Sequence, residues 1–312
     1  MKTKKRILFT IILAFLFLNG IAFFHAYSFT HFADARLEKT QAPSTLSIWQ
    51  KMRTLVFGIN NPRPTNTTQP KQTFETILLK GNKSIECWYV PAPNSRGVVA
   101  IFHGFSGCKS MMLDRSDEWF NLGYSTLLVD FPGSGGSEGR ETALGFHESE
   151  TVKVCFQYLQ QKGEKNIILY GGSMGAVAVL KAVSEYQITP KAIIIECPFG
   201  SLRRTTYARF QQMNLPGFPM ADLLLLWGGV QQGFWAFGHN PTEYAKGVSV
   251  PVLLLYGEQD KEVSREEITG IFENLHGTKI LRTYPNAHHE SYLKAYRSEW
   301  LSDVQVFLSS SL

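Results

Sequence analysis

The chain has 312 residues, of which 44% are hydrophobic and 18% charged; this excludes a disordered chain and leaves, beyond an N-terminal targeting segment, about 275 residues, enough for one large domain with a buried sheet. The formal charge is +5, but Lys2, Lys4, Lys5 and Arg6 account for four of the 31 basic residues, and the remaining 27 face 26 acidic ones, leaving +1. A nearly neutral folded part excludes the basic face that a nucleic-acid partner requires.

Behind the basic cluster, Ile7 to Phe24 reads ILFTIILAFLFLNGIAFF, 18 residues without a charge. As a helix it would measure about 27 Å, close to the thickness of a bilayer's hydrocarbon core. Two fates are open. An uncleaved signal anchor suits the length of the run; a signal peptide would be cut at Ala33-Asp34-Ala35, an A-x-A site lying beyond it. In either case the positive-inside rule holds the N-terminus in the cytoplasm and sends the rest to the exoplasmic side, where the chain stays membrane-tethered or, once cut, is secreted. Residues 1–35 are therefore expected to form the anchor. Residues 36–72, with Pro43, Pro62, Pro64 and Pro70, read as a juxtamembrane linker. Asn66-Thr67-Thr68 and Asn82-Lys83-Ser84 are glycosylation sequons, meaningful in a eukaryotic source.

From residue 73 to 312 short apolar runs alternate with segments of helical period. The runs Thr73 to Leu79, Ile85 to Val90, Val98 to Phe102, Ser125 to Val129, Asn166 to Tyr170, Ala192 to Ile195, Val252 to Tyr256 and Lys279 to Tyr284 predict eight strands. Helical patterns at 110–122, 142–162, 174–187, 263–275 and 290–308 predict a mostly parallel sheet covered on both faces. No helix separates the first two strands, so an antiparallel hairpin at the sheet edge is expected. Residues 199–248 break the alternation and are rich in Phe, Leu, Trp, Gly and Pro; a stretch of that length predicts a helical cap rather than a loop. Cys87, Cys108, Cys155 and Cys197 are widely spaced, without a C-x-x-C pair, and read as buried thiols, with pairing of Cys108 or Cys197 open in an oxidising compartment.

The chemistry concentrates where the strands end. Ile167 to Tyr170 runs into Gly171-Gly172-Ser173-Met174-Gly175, a G-x-S-x-G set between an apolar strand and the helical pattern AVAVLKAVSEY. A serine at such a turn has its hydroxyl thrust outward, and small residues two places to either side avoid collision. Gly135-Gly136-Ser137-Glu138-Gly139 fits the same expression, but it follows Pro132-Gly133-Ser134 and reads as a loop, so Ser173 is the candidate nucleophile. A serine nucleophile needs a base and a carboxylate that orients the base. Asp260 follows the strand PVLLLYG and is the candidate acid, with Glu196 as the alternative; Glu258 lies too close to its strand. The base lies in Ala287-His288-His289. Only one of two adjacent histidines can enter a site, and His289 is preferred over His288. The oxyanion requires two backbone donors: Met174, after the nucleophile, and Phe105 in the loop His103-Gly104-Phe105-Ser106-Gly107, where His103 supports the loop.

His103-Gly104-Phe105, Asp130-Phe131-Pro132-Gly133-Ser134-Gly135-Gly136-Ser137, the set around Ser173, Gly257-Glu258-Gln259-Asp260 and Ala287-His288-His289 resemble the α/β-hydrolase superfamily, in particular its serine aminopeptidase-like and monoacylglycerol lipase-like branch. The resemblance runs from about residue 73 to the C-terminus. It implies an α/β-hydrolase fold and a serine hydrolase with Ser173, Asp260 and His289 as its triad; Asp130 is carried over as structural. His288-His289, where the superfamily commonly has Gly-His, is the main departure, and it bears on the choice of base. The expected reaction is carboxylic-ester hydrolysis through an acyl-enzyme, with no cofactor and no metal. The apolar segment 223–237 points to a small-molecule or lipid-like acyl substrate. A peptidase or thioesterase on the same fold, or a non-catalytic tethered protein, are the alternatives.

Overall fold

The computed structural model describes residues 2–41 and 46–311; Pro43 of the expected linker lies outside the described residues. The chain divides into two compact units: Arg63–Ser201 with Asn240–Leu312, and Met1–Pro62 with Leu202–His239.

The larger unit is built on an eight-stranded sheet of order β1-β2-β4-β3-β5-β6-β7-β8. Its strands are β1 (Glu75–Lys80), β2 (Ser84–Val90), β3 (Val98–Phe102), β4 (Ser125–Val129), β5 (Ile167–Gly172), β6 (Ala192–Glu196), β7 (Val252–Gly257) and β8 (Lys279–Tyr284). The expected edge hairpin is present: β1 pairs antiparallel with β2 and β2 antiparallel with β4, whereas every later pairing is parallel. β3, β4 and β6 are buried along their whole length, as strands covered on both faces must be, which is why they read as unbroken apolar runs. The chain passes from β3 to β4 on one side and then back across β3 to β5 on the other. The carboxyl ends of β3 and β5 therefore border the crevice where open α/β sheets take ligands.

Helices α3 (Leu113–Asn121), α4 (Glu148–Gln161), α5 (Met174–Tyr186), α8 (Pro241–Tyr244), α9 (Arg265–Asn274), α10 (Tyr292–Ala295) and α11 (Arg297–Ser311) complete this unit. Two departures from the expected helices have local causes. The helix expected from residue 142 begins at Glu148. The buried Glu148 carboxylate accepts from the Thr142 hydroxyl (2.6 Å) and the amides of Ala143 (3.0 Å) and Gly145 (2.9 Å), which holds 142–147 as a loop. The last helix is broken at Tyr296, whose φ of −136° is not helical.

Part of the stretch expected as a linker also belongs here. Arg63 donates to the carbonyls of Gly139 (2.6 Å), Gly135 (3.2 Å) and Ser137. The Asn66 side chain donates to Asp130 (2.8 Å) and accepts from the Ser110 amide (3.1 Å), so the nitrogen of this sequon is engaged within the fold.

The smaller unit contains α1 (Lys2–Thr30), α2 (Ile48–Phe57), α6 (Leu202–Gln212) and α7 (Met220–Gln232). α2 was not expected from the proline-rich sequence; a capping box starts it, with the Ser47 side chain accepting from the Gln50 amide and the Gln50 side chain accepting from the Ser47 amide. α1 extends the apolar run by almost two turns and is long and apolar enough to cross a membrane. Its last third packs on α7. Trp227 Nε1 donates to Asn19 Oδ1 (3.1 Å), Gln231 Nε2 donates to the Phe23 carbonyl (2.9 Å), and the Phe23 and Trp227 rings meet edge to face at 5.3 Å.

Candidate active site

At the end of β5 the chain turns abruptly into α5, and Ser173 sits at the turn with φ 50° and ψ −114°. That strain persists because the surroundings leave no room to relax it. A Cβ on Gly175 would lie 2.4 Å from the Phe102 carbonyl oxygen, and one on Gly171 would lie 2.5 Å from the Gly175 backbone. The Ser173 amide is anchored across the sheet to the Glu196 carbonyl (2.8 Å). The serine side chain is thus presented at the carboxyl edge of the sheet on a rigid backbone.

His289 and Asp260 reach the same point from the loops after β8 and β7. His289 Nε2 is 3.0 Å from Ser173 Oγ, and His289 Nδ1 is 2.7 Å from Asp260 Oδ2. Asp260 is rigidly held, because its other oxygen accepts the amides of Glu262 (2.7 Å) and Val263 (3.0 Å). A carboxylate at Nδ1 places the ring proton there and leaves Nε2 as the acceptor facing the serine hydroxyl. Burial alone would push the His289 pKa down; the neighbouring Cys197 and Asp260 outweigh it, and the pKa stands well above the ordinary 6.5. His288 is directed elsewhere, with its Nδ1 at 3.0 Å from the Gln259 carbonyl and its side chain exposed.

The loop after β3 passes alongside. A Cβ on Gly104 would lie 3.5 Å from the Ser173 Cβ, so Gly104-Phe105 runs next to the serine. Met174 is the first residue of α5, where helix amides lack intrahelical partners. The buried His103 steadies the loop: its Nδ1 lies 2.8 Å from the Gly104 carbonyl, and its Nε2 accepts the Phe131 amide (3.1 Å). Burial lowers its pKa and keeps the ring neutral, as an accepting Nε2 requires.

A family model described as Serine aminopeptidase, S33 matches residues 93–224. The esterase Pf2001 of Pyrococcus furiosus superposes with a TM-score of 0.67 at 22% identity, over 81% of this chain and 99% of the esterase. Est1E of Butyrivibrio proteoclasticus, solved with ferulic acid, superposes with a TM-score of 0.59 at 19% identity, over 75% of this chain and 98% of that one. Among curated proteins, YqkD of Bacillus subtilis is 24% identical over 78% of this chain and 81% of its own length. Lysophosphatidylserine lipase ABHD12 of Macaca fascicularis is 25% identical over 57% of this chain and 45% of its own length. The chain has the α/β-hydrolase fold.

The other sequence candidates have separate partners. Ser137 is buried, donating to the Asp130 carbonyl (2.7 Å) and accepting the Glu86 amide (2.8 Å), so the second G-x-S-x-G braces the loop after β4. Asp130 accepts from the Lys109 amide (2.7 Å) and pairs with the buried Lys109 ammonium. Burial would raise the Asp130 carboxyl, but Lys109 and His103 outweigh it and hold its pKa low. Glu196 accepts from Trp300 Nε1 (2.7 Å) and pairs with Arg115 (3.3 Å), and Glu258 pairs with Arg265 (3.0 Å); neither approaches as Asp260 does.

All four cysteines are buried free thiols. Cys197, unremarked as a site residue from sequence, neighbours His289: donor atoms of Cys197, Asp260 and His289 lie within 4.8 Å of one another. These are the donors that could hold a cation, although the last two are already bonded to each other. Its place directly after Glu196, at the carboxyl end of β6, was the available signal.

Proposed function

We propose that this chain is a serine hydrolase of carboxylic esters, with Ser173, His289 and Asp260 as its triad. The observation that carries the reading is the continuous line of two hydrogen bonds, 3.0 Å and 2.7 Å, from the strained Ser173 through His289 to Asp260. His289 Nε2 takes the hydroxyl proton as Ser173 Oγ bonds to the ester carbonyl carbon. The Phe105 and Met174 amides receive the oxyanion, each such donor being worth about 10²–10³ in rate. Collapse of the tetrahedral intermediate breaks the bond to the alcohol, which leaves with the proton from His289. Water, deprotonated by the same nitrogen, then releases the acid and restores the serine. The chain is proposed to be tethered by α1, N-terminus in the cytoplasm and hydrolase unit on the exoplasmic side, with residues 199–248 serving as the cap.

An ester with an apolar acyl group is the favoured substrate, since the cap segment is rich in Leu, Phe and Trp and both ABHD12 and Pf2001 are named for lipid or ester hydrolysis. The test is hydrolysis of p-nitrophenyl esters of graded chain length, beside aminoacyl p-nitroanilides, by the full-length protein. Ester turnover that vanishes in Ser173→Ala is expected. Turnover of the anilides alone would replace this reading with a peptidase, the activity named by the matching family model.

A further inference from the structure

The contact between α1 and α7 has the character of helix packing in lipid. Small residues line it: Ala22 and Ala26 are buried, and a Cβ on Gly228 would stand 4.0 Å from the Ala26 Cβ. Polar groups bind it, through Trp227 to Asn19 and Gln231 to the Phe23 carbonyl. Small residues at the crossing and hydrogen bonds between helices are how helices associate where apolar burial gives no drive. The Asn19 side-chain nitrogen is met within α1 by the Phe15 carbonyl (2.9 Å), and Trp227 supplies the donor that its oxygen needs in hydrocarbon.

The position along α1 sets the depth. At 1.5 Å per residue, Asn19 lies about 18 Å beyond Ile7 and Phe23 about 24 Å, so α7 meets α1 in the outer half of a core about 30 Å thick, toward its outer edge. The remaining surface of α7 and its following turn suits that depth. Val230 is 61% exposed and Trp235 66%, and with Leu226 and Phe234 they border an open apolar recess of ≈ 350 Å³. The single charge of α7, Asp222, pairs with Arg203 (2.9 Å) and accepts from the Tyr207 hydroxyl (2.7 Å). An uncharged apolar face with an exposed tryptophan fits the boundary between acyl chains and headgroups.

We propose that α7 is a membrane-embedded partner of α1, with Leu226, Val230 and Trp235 facing phospholipid at the exoplasmic boundary. This rests on the reading of α1 as a membrane span. The test uses the full-length chain in phosphatidylcholine vesicles, labelled with an environment-sensitive fluorophore at Val230→Cys or, as a mid-bilayer reference, at Leu16→Cys. Lipids brominated at shallow or deep acyl positions report depth. The Val230 label should be quenched at least twofold, more by shallow than by deep bromines, and the Leu16 label more by deep ones. Separately, Ala26→Cys with Gly228→Cys should form a disulfide under mild oxidation, because 4.0 Å is within the Cβ separation that bond needs; Phe24→Cys with Gly228→Cys should not. An unquenched Val230 label beside a quenched Leu16 label would overturn the proposal and leave the anchor standing. Loss of quenching at both positions would overturn the anchor as well. Absence of the Ala26–Gly228 cross-link would overturn the docking of α7 on α1.

Discussion

The turn at Ser173 and the crossing of α1 with α7 both depend on small residues, for different reasons. At the turn a Cβ on Gly175 would meet a carbonyl oxygen at 2.4 Å, which no adjustment of a side chain relieves. At the helix crossing a Cβ on Gly228 would make an ordinary contact at 4.0 Å. The first is a backbone requirement of the turn from strand to helix; the carbonyl it meets belongs to Phe102, far off in sequence, but the glycines that satisfy it flank the serine and leave a motif. The second joins residues about two hundred positions apart and leaves none. What can be read locally is therefore the chemistry, while the packing of the smaller unit has to be seen.

Asp260→Asn should lower kcat/KM by about 10⁴, as loss of the orienting carboxylate does in such triads, with the protein still folded by circular dichroism; a loss under tenfold would point back to Glu196. Gly175→Ala should cost about 3–4 kcal/mol or prevent folding, measured by denaturant unfolding, because the strained turn cannot accept a Cβ. Gly228→Ala should change stability by less than about 0.5 kcal/mol, and equal costs at the two glycines would erase the distinction.

The pH profile sharpens the active-site half. In the proposed mechanism His289 must be neutral to accept the serine proton, so kcat/KM should rise with pH. Because its pKa stands above the ordinary 6.5, the midpoint should fall on the alkaline side of that value; a midpoint below 6.5 would contradict the environment described for it. A modest effect is expected at Asn19→Ala. Loss of its bond to Trp227 should cost about 0.6 kcal/mol, at most about 1.7, measured by thermal unfolding in detergent.

Most of the sheet was legible because its strands are short apolar runs ended by glycine, proline or charge, and because β-α alternation admits few topologies. Ser173 was legible because its motif lies between a strand and a helix, a context Ser137 lacks. The choice between His288 and His289 was not settled by sequence, since adjacent residues share their local pattern; the structure separates them by direction, one toward the Gln259 carbonyl and one toward Asp260 and Ser173. Two features were not legible from the apolar pattern: the hold of Glu148 on the loop before α4, and the bond from Asn19 to Trp227. The first is a local contact between a side chain and the backbone and the second joins distant parts of the chain; periodicity encodes neither.

The central claim is that Ser173 is the activated nucleophile, and the most direct measurement is mass-spectrometric mapping of a fluorophosphonate adduct on the full-length protein. A single adduct on Ser173, lost in Ser173→Ala and in His289→Ala and kept in a folded Ser137→Ala, is the expected result. An adduct on another serine, or none on the folded parent, would contradict it.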